Sequence, residues 1–154
     1  MAVPSRLRGV LAAFAATSPI AMGLALALGA CGPSKSGQCG ELVDVINRGV
    51  TVLAQGEKQR ANDPTGTVEL RAMADTMDKV AEELHALKLD LPELRDFASK
   101  YEQLAKDASL SARAVADAAD QKDKPGVQKA QEKLTQVVRQ EDGIIEGING
   151  FCTR

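Results

Sequence analysis

The side chains that could perform covalent or metal chemistry are few in this chain of 154 residues. It has three cysteines, Cys31, Cys39 and Cys152, and one histidine, His85. A thiol redox site or a zinc site typically needs a C-x-x-C pair or histidines close by, and a c-type haem needs C-x-x-C-H. None of these spacings occurs in the sequence, so we expect neither a metal nor a cofactor.

Two methionines, Met73 and Met77, lie four residues apart. Such a pair could bind soft copper, but within a row of leucine and valine it is more typical of core packing. His85 would lie about 120° around the same helix from Met73. It therefore flanks the apolar row, and we interpret it as a solvated or interfacial side chain.

The acidic residues show no catalytic arrangement. Glu82-Glu83 and Glu141-Asp142 are adjacent pairs, and neighbours in sequence point in different directions around a helix. Both pairs are therefore predicted to lie on solvated faces. Glu82 and His85 have the Glu-x-x-His spacing, but a di-iron bundle needs this motif on each of two helices, and the chain has only one histidine. The sequence has no phosphate-binding loop and no nucleotide-binding glycine motif. We predict that the protein is not an enzyme and has no catalytic residues.

Residues 1–30 have the organisation of an export signal. A short basic start contains Arg6 and Arg8, an apolar run extends from residue 10 to residue 28, and small residues follow. By its length, the apolar run could also be a membrane-spanning helix. The Thr-Ser-Pro sequence at residues 17–19 interrupts it, and the residues that follow decide between the two interpretations.

Leu28-Gly29-Ala30-Cys31 resembles the lipobox of bacterial lipoproteins, in which a leucine and two small residues precede a cysteine. The resemblance covers residues 1–31 only. It implies that Cys31 receives a diacylglyceryl thioether, that residues 1–30 are then cleaved off, and that an acyl chain such as palmitate is added to the new amino terminus. Several acyl chains anchor a protein stably to a membrane.

The same resemblance implies a location in the bacterial cell envelope, facing the periplasm. Gly32 stands where an aspartate would favour retention in the inner membrane under enterobacterial sorting rules, so the outer membrane is favoured. Residues 32–38 are small and polar, and they predict a flexible tether. We therefore divide the chain into a signal peptide (1–30), a lipidated tether (31–38) and a folded domain (39–154).

If Cys31 carries lipid, Cys39 and Cys152 remain. An even pair of cysteines in an exported protein typically forms a disulfide. This bond would close a loop of more than 100 residues, which is worth roughly 4–5 kcal/mol in the chain-entropy model.

Four segments of the chain have the periodicity of amphipathic helices. They extend from about Gly40 to Arg60, from Thr67 to about Leu89, from a start near Asp90 to a break at residues 121–126, and from Pro125 to Phe151. Asp90 is predicted to cap the third helix. Each segment has an apolar row, and the second also has i,i+4 charge pairs. In chain order, the apolar rows of the four segments are Leu42, Ile46, Val50 and Leu53; Leu70, Met73, Met77, Val80, Leu84 and Leu87; Leu94, Phe97, Tyr101, Leu104, Ala108 and Val115; and Val127, Ala130, Leu134, Val137, Val138, Ile145 and Ile148. The charged row of the second segment is Arg71, Asp75, Lys79 and Glu83.

This pattern predicts an all-α, up-down-up-down four-helix bundle with a disulfide joining the termini of the folded part. Only 3% of the residues are aromatic and 26% are charged, and no sustained alternation of apolar and polar residues indicates strands. In this topology the first helix begins at the end where the fourth helix finishes. Cys39 and Cys152 would then be neighbours.

Gly143, Gly147 and Gly150 allow two interpretations. The first two would lie on one helical face and permit a close crossing, against Gly49 or Ala54 of the first helix. Alternatively, the glycines mark a frayed, loop-like end that the disulfide holds in place.

These features favour a non-catalytic structural or protein-interaction module, bound to the membrane by its lipid and to another envelope protein or a cell-wall component. Without residues 1–30 the chain has 17 basic and 21 acidic side chains, a net charge of −4, and it lacks the basic patch with aromatics that nucleic-acid binding requires. The alternative is a helical bundle that binds a small molecule or a metal, as a sensor or carrier. An apolar cavity lined by Leu84, Phe97, Tyr101 and Leu104 would favour this alternative, whereas a filled core would favour the interaction module.

Overall fold

Four α-helices account for nearly all of the chain that the computed structural model describes, which is residues 34–56 and 66–154 without the side chains of residues 55 and 56. The helices are α1 (Lys35–Gly56), α2 (Thr67–Ala86), α3 (Pro92–Asp120) and α4 (Lys124–Cys152). No strand occurs within these two ranges. The predicted all-α four-helix bundle is confirmed. The predicted signal peptide, Cys31 and most of the turn at residues 62–66 lie outside the described residues.

Helix α1 begins at Lys35 and so extends into the segment that the sequence predicted as a tether. The Ser34 hydroxyl oxygen accepts a hydrogen bond from the Gly37 amide at 3.1 Å, which satisfies one of the free donors at the helix start. Gln38 lies in the following turn and is only 2% exposed. The folded part therefore includes at least four residues that precede Cys39.

The connection between α2 and α3 is stabilised by a side chain from α1. The Gln38 Oε1 atom accepts hydrogen bonds from the backbone amides of Asp90 (2.6 Å) and Leu91 (3.1 Å). Leu91 has an extended backbone at the N-cap position of α3, and no side chain caps that helix. The predicted cap by Asp90 is therefore wrong, because a glutamine 52 positions earlier in the chain binds the same stretch of backbone.

The connection between α3 and α4 agrees with the sequence prediction. The Asp123 side chain accepts a hydrogen bond from the Gly126 amide at 3.1 Å. Pro125 lies in the first turn of α4, where its missing N–H donor has no consequence for the helix. These local signals end α3 and start α4 without help from distant residues.

Helix α3 lies between α2 and α4 and packs along both, whereas α1 packs mainly against α2. The helices share one core, and the face of α3 contributes many small side chains that allow close packing, namely Ala98, Ala105, Ala108, Ala112 and Ala116. Two residues of the predicted apolar rows are exceptions. Val50 of α1 is 51% exposed and Val138 of α4 is 47% exposed.

The glycines of α1 and α4 do not face each other. An added Cβ atom at Gly49 would lie 2.5 Å from Cγ2 of Val80 in α2, and one at Gly147 would lie 2.7 Å from Cε1 of Phe97 in α3. The predicted crossing of Gly143 and Gly147 against α1 is therefore wrong. The loop-like alternative is also wrong, because α4 remains helical to Cys152.

We expect Gly49→Ala to destabilise the protein by about 1–2 kcal/mol. Alanine gains up to about 1 kcal/mol in helix propensity, but its methyl group must displace Val80, whose β-branched side chain is nearly fixed in a helix and 4% exposed. Gly143→Ala is the matched control, since a Cβ atom there has no neighbour within 4 Å. It should stabilise the protein by up to about 1 kcal/mol. Urea unfolding compares the two, and equal shifts would contradict the packing at Gly49.

Candidate functional site

A disulfide between Cys39 and Cys152 joins the start of α1 to the end of α4, as predicted. The two Cα atoms are 5.9 Å apart, although 113 positions separate them in sequence. Lys35 Nζ lies 4.3 Å from the ring centroid of Phe151, whose ring also packs against Phe97 at 6.3 Å between centroids. The start of α1 is thus fixed to α4 by a covalent bond and by a cation–π contact.

Tyr101 and Glu141 form a polar contact between α3 and α4. Tyr101 is 3% exposed, and its hydroxyl donates a hydrogen bond to Glu141 Oε1 at 2.5 Å. Glu141 is half-buried, whereas the adjacent Asp142 is exposed. The prediction of a solvated acidic pair is therefore correct for Asp142 and wrong for Glu141. A buried tyrosine needs a partner for its hydroxyl, and this requirement is the sequence signal that could have indicated an acid on a neighbouring helix.

Burial raises the pKa of Tyr101 well above its ordinary value near 10, and the hydrogen bond to Glu141 and the charge of that carboxylate raise it further. Because the pKa is higher in the folded state than in the unfolded state, the associated stability is fully present below pH 10 and is lost as the pH rises through the folded-state pKa. The protein has one tyrosine, so its ultraviolet absorbance reports this group alone. We expect tyrosinate absorbance in the native protein to appear only at a pH well above 10.

Glu141→Gln tests the cause of this shift. The amide oxygen keeps an acceptor for the Tyr101 hydroxyl but removes the negative charge. We expect the pKa of Tyr101 to fall towards 10 and yet remain above it, because burial is the largest cause. Titration of native Tyr101 near pH 10 in the unsubstituted protein would contradict the buried contact.

Three residues of the charged row of α2, namely Arg71, Asp75 and Glu83, pair with neighbouring helices rather than within α2. Arg71 lies 2.8 Å from both Asp117 and Asp120 of α3. Conversely, a basic residue of α3 pairs with acidic residues of α2: Arg113 lies 2.7 Å from Asp75 and 2.8 Å from Asp78. The predicted i,i+4 pairing of Arg71 with Asp75 is therefore wrong, since each has partners on α3.

Glu83 also pairs across helices, at 2.5 Å from Arg48 of α1. These ion pairs are largely solvated, which limits their contribution to stability. Burial of Asp78 tends to raise its pKa, but hydrogen bonds from Ser109 and Arg113 outweigh it and lower the pKa overall. The arrangement sets the register between α2 and its neighbours and resembles no catalytic dyad.

His85 lies on the surface of α2, as the sequence predicted. Its side chain is 80% exposed, and its Nδ1 atom is 3.4 Å from Glu102 Oε1. A hydrogen bond from Lys106 is the main cause of the lowered pKa of Glu102. In the described ranges, no cluster of three or more histidine, cysteine, aspartate or glutamate side chains is placed to hold a metal ion.

Met77 and the residues predicted to line a cavity belong to the packed interior. Met77 is buried in the core, whereas Met73 is half-buried. Of the residues that would line an apolar cavity, three are core residues and one packs against the core; they are Leu84, Tyr101, Leu104 and Phe97. These four side chains therefore pack together in the interior of the bundle.

The described helices include none that is long and apolar enough to cross a membrane. The lipobox residues Leu28, Gly29, Ala30 and Cys31 precede the described ranges. No family model, no curated protein and no solved structure matches this chain.

Proposed function

We propose that this protein is a lipid-anchored component of the bacterial cell envelope whose helical bundle binds another envelope protein or a cell-wall component without catalysing a reaction. The observation that carries the proposal is the sequence Leu28-Gly29-Ala30-Cys31 after a basic and apolar leader. In this proposal Cys31 bears the lipid, the bundle faces the periplasm, and the outer membrane is the favoured location.

Two features of the folded part support this proposal. A disulfide between Cys39 and Cys152 is typical of proteins in oxidising compartments such as the periplasm. In addition, only residues 32–34 separate Cys31 from the start of α1. Three residues reach at most about 11 Å, so a lipid on Cys31 would hold the disulfide end of the bundle close to the bilayer.

The anchor is tested by labelling cells with radioactive palmitate. We expect the unsubstituted protein to be labelled and cleaved, and Cys31→Ala to remain an unlabelled precursor. Cys152→Ala is the matched control, because it removes a cysteine without touching the lipobox, and it should label normally. Palmitate on the Cys31→Ala variant would contradict the lipid anchor.

The interaction is tested by chemical crosslinking in native membranes, followed by identification of the crosslinked molecules. We expect a discrete protein or a cell-wall fragment. Recovery of lipids and small molecules alone would contradict the interaction module and support the alternative of a ligand-binding bundle.

A further inference from the structure

The disulfide identifies the faces of α1 and α4 that are directed at each other. Positions about 4, 7, 11, 14 and 18 residues from a given residue return to within about 40° of its direction around a helix. On these two helices, such positions form what we call the α1–α4 seam. It comprises Cys39, Val43, Ile46, Val50 and Leu53 of α1 and Cys152, Ile148, Ile145, Glu141, Val138 and Leu134 of α4.

The α1–α4 seam is closed at the disulfide end and open at the other end. Cys39 and Ile46 are buried in α1, and Ile148 is buried in α4. Further from the disulfide, Val50 and Val138 are about half exposed. The open part extends along α4 from Leu134 to Ile145, which is about 17 Å or three helical turns.

Glu141 lies within this open part. Glu141 is 11 residues before Cys152, and Val50 is 11 residues after Cys39. Along the antiparallel helices, Glu141 and Val50 therefore lie at the same distance from the disulfide. Within the described ranges, the neutral Tyr101 hydroxyl is the recorded polar partner of the Glu141 carboxylate, and Glu141 forms no ion pair there. The α1–α4 seam has no basic residue of its own.

We propose that the open α1–α4 seam binds an amphipathic helix of a partner protein, and that a lysine or arginine of this helix pairs with Glu141. The inference rests on the proposed function as an interaction module and names its surface. Valine and leucine side chains on both walls match the apolar face of a helix laid into a groove between two others. The half-buried carboxylate selects a basic residue on that helix, because a charge removed from water requires an opposite charge.

The occupant is identified by photocrosslinking in native membranes, with the full-length chain. A photoreactive amino acid replaces Val138 in the seam, and in a matched control it replaces Leu110, which is 62% exposed on α3. We expect the probe at Val138, and not the one at Leu110, to capture a discrete protein segment. That segment should contain a basic residue beside apolar residues spaced three or four apart.

The role of Glu141 is tested in the same assay with Glu141→Gln, which retains an acceptor for Tyr101 and removes the charge. We expect the crosslinked yield at Val138 to fall about ten-fold, as for the loss of one desolvated charge pair. Glu82→Gln, an exposed change on α2, should leave the yield unchanged. The urea midpoints of both variants are measured, so that unfolding is not mistaken for lost binding.

Several outcomes would overturn the proposal: equal capture at Val138 and Leu110, capture of lipid or of a second copy of this chain at Val138, or an unchanged yield in folded Glu141→Gln. Palmitate labelling in the same cells separates this failure from failure of the anchor. Chemical crosslinking that still recovers a partner would show that the interaction module stands and that only the α1–α4 seam was wrongly assigned.

Discussion

The double variant Cys39→Ser, Cys152→Ser is expected to lose about 4 kcal/mol of unfolding free energy relative to the oxidised protein. The bond joins residues 113 positions apart, so its removal greatly increases the freedom of the unfolded chain. The effect on the native state should be largest in α1, because this helix packs mainly against α2 and is joined to α4 by the disulfide. Urea unfolding gives the total loss.

Hydrogen exchange locates the same effect. Amides of α1 should lose protection first, while those in the α2–α3 interface should retain more of theirs. The unsubstituted protein treated with a reductant is the control and should match the double variant, whereas the double variant should not respond to reductant. Equal urea midpoints for oxidised and reduced protein would contradict a stabilising role for the bond.

Gln38→Met is expected to destabilise the protein by about 2–4 kcal/mol. Methionine has a similar length but cannot accept the hydrogen bonds from the amides of Asp90 and Leu91. Each backbone donor left unsatisfied away from water costs about 1–3 kcal/mol. The loss should therefore exceed that of an ordinary surface substitution, even though the new side chain is more hydrophobic.

Gln131→Met is the matched control for this prediction, because Gln131 is an exposed residue of α4. Its unfolding free energy should change by less than about 0.5 kcal/mol. If Gln38→Met were as stable as this control, the Gln38 side chain would not be the capping group of the α2–α3 connection. Urea unfolding of the two variants under identical conditions provides the comparison.

Local signals in the sequence predicted the elements that depend on local physics. The apolar period of α2, the break between α3 and α4 and the proline at the start of α4 depend on residues close together in sequence, and the structure agrees with each. The disulfide was also accessible from sequence, because a cysteine count and a helix count independently placed Cys39 beside Cys152. These features need no knowledge of how the helices are rotated against one another.

The remaining features depend on tertiary placement, which periodicity does not specify. Gln38 sits in a short polar stretch, so only the fold reveals that its side chain binds the backbone near Asp90. Arg71 has a favourable partner at i+4, yet it pairs with two aspartates of α3 because that helix lies alongside. Gly147 accommodates the Phe97 ring rather than another backbone.

Ser111 is a buried residue whose lack of a hydrogen-bond partner in the described part of the chain also could not be predicted from the sequence. It is 1% exposed, and its hydroxyl has no hydrogen-bond partner among the described residues. Nothing in the sequence distinguishes this serine from Ser109, whose hydroxyl interacts with Asp78 and Arg113. Ser109 has a partner on α2, Asp78, and the sequence of α3 alone does not reveal this contact.

Intact-mass measurement of the protein extracted from bacterial membranes tests the central claim of a lipid anchor on Cys31 most directly. The predicted product begins at Cys31 and carries the added mass of a diacylglyceryl group and an amide-linked acyl chain. Alkylation should label no cysteine before reduction and two cysteines, Cys39 and Cys152, after it. A chain that begins at Met1, or one in which Cys31 is alkylated, would contradict the lipid anchor.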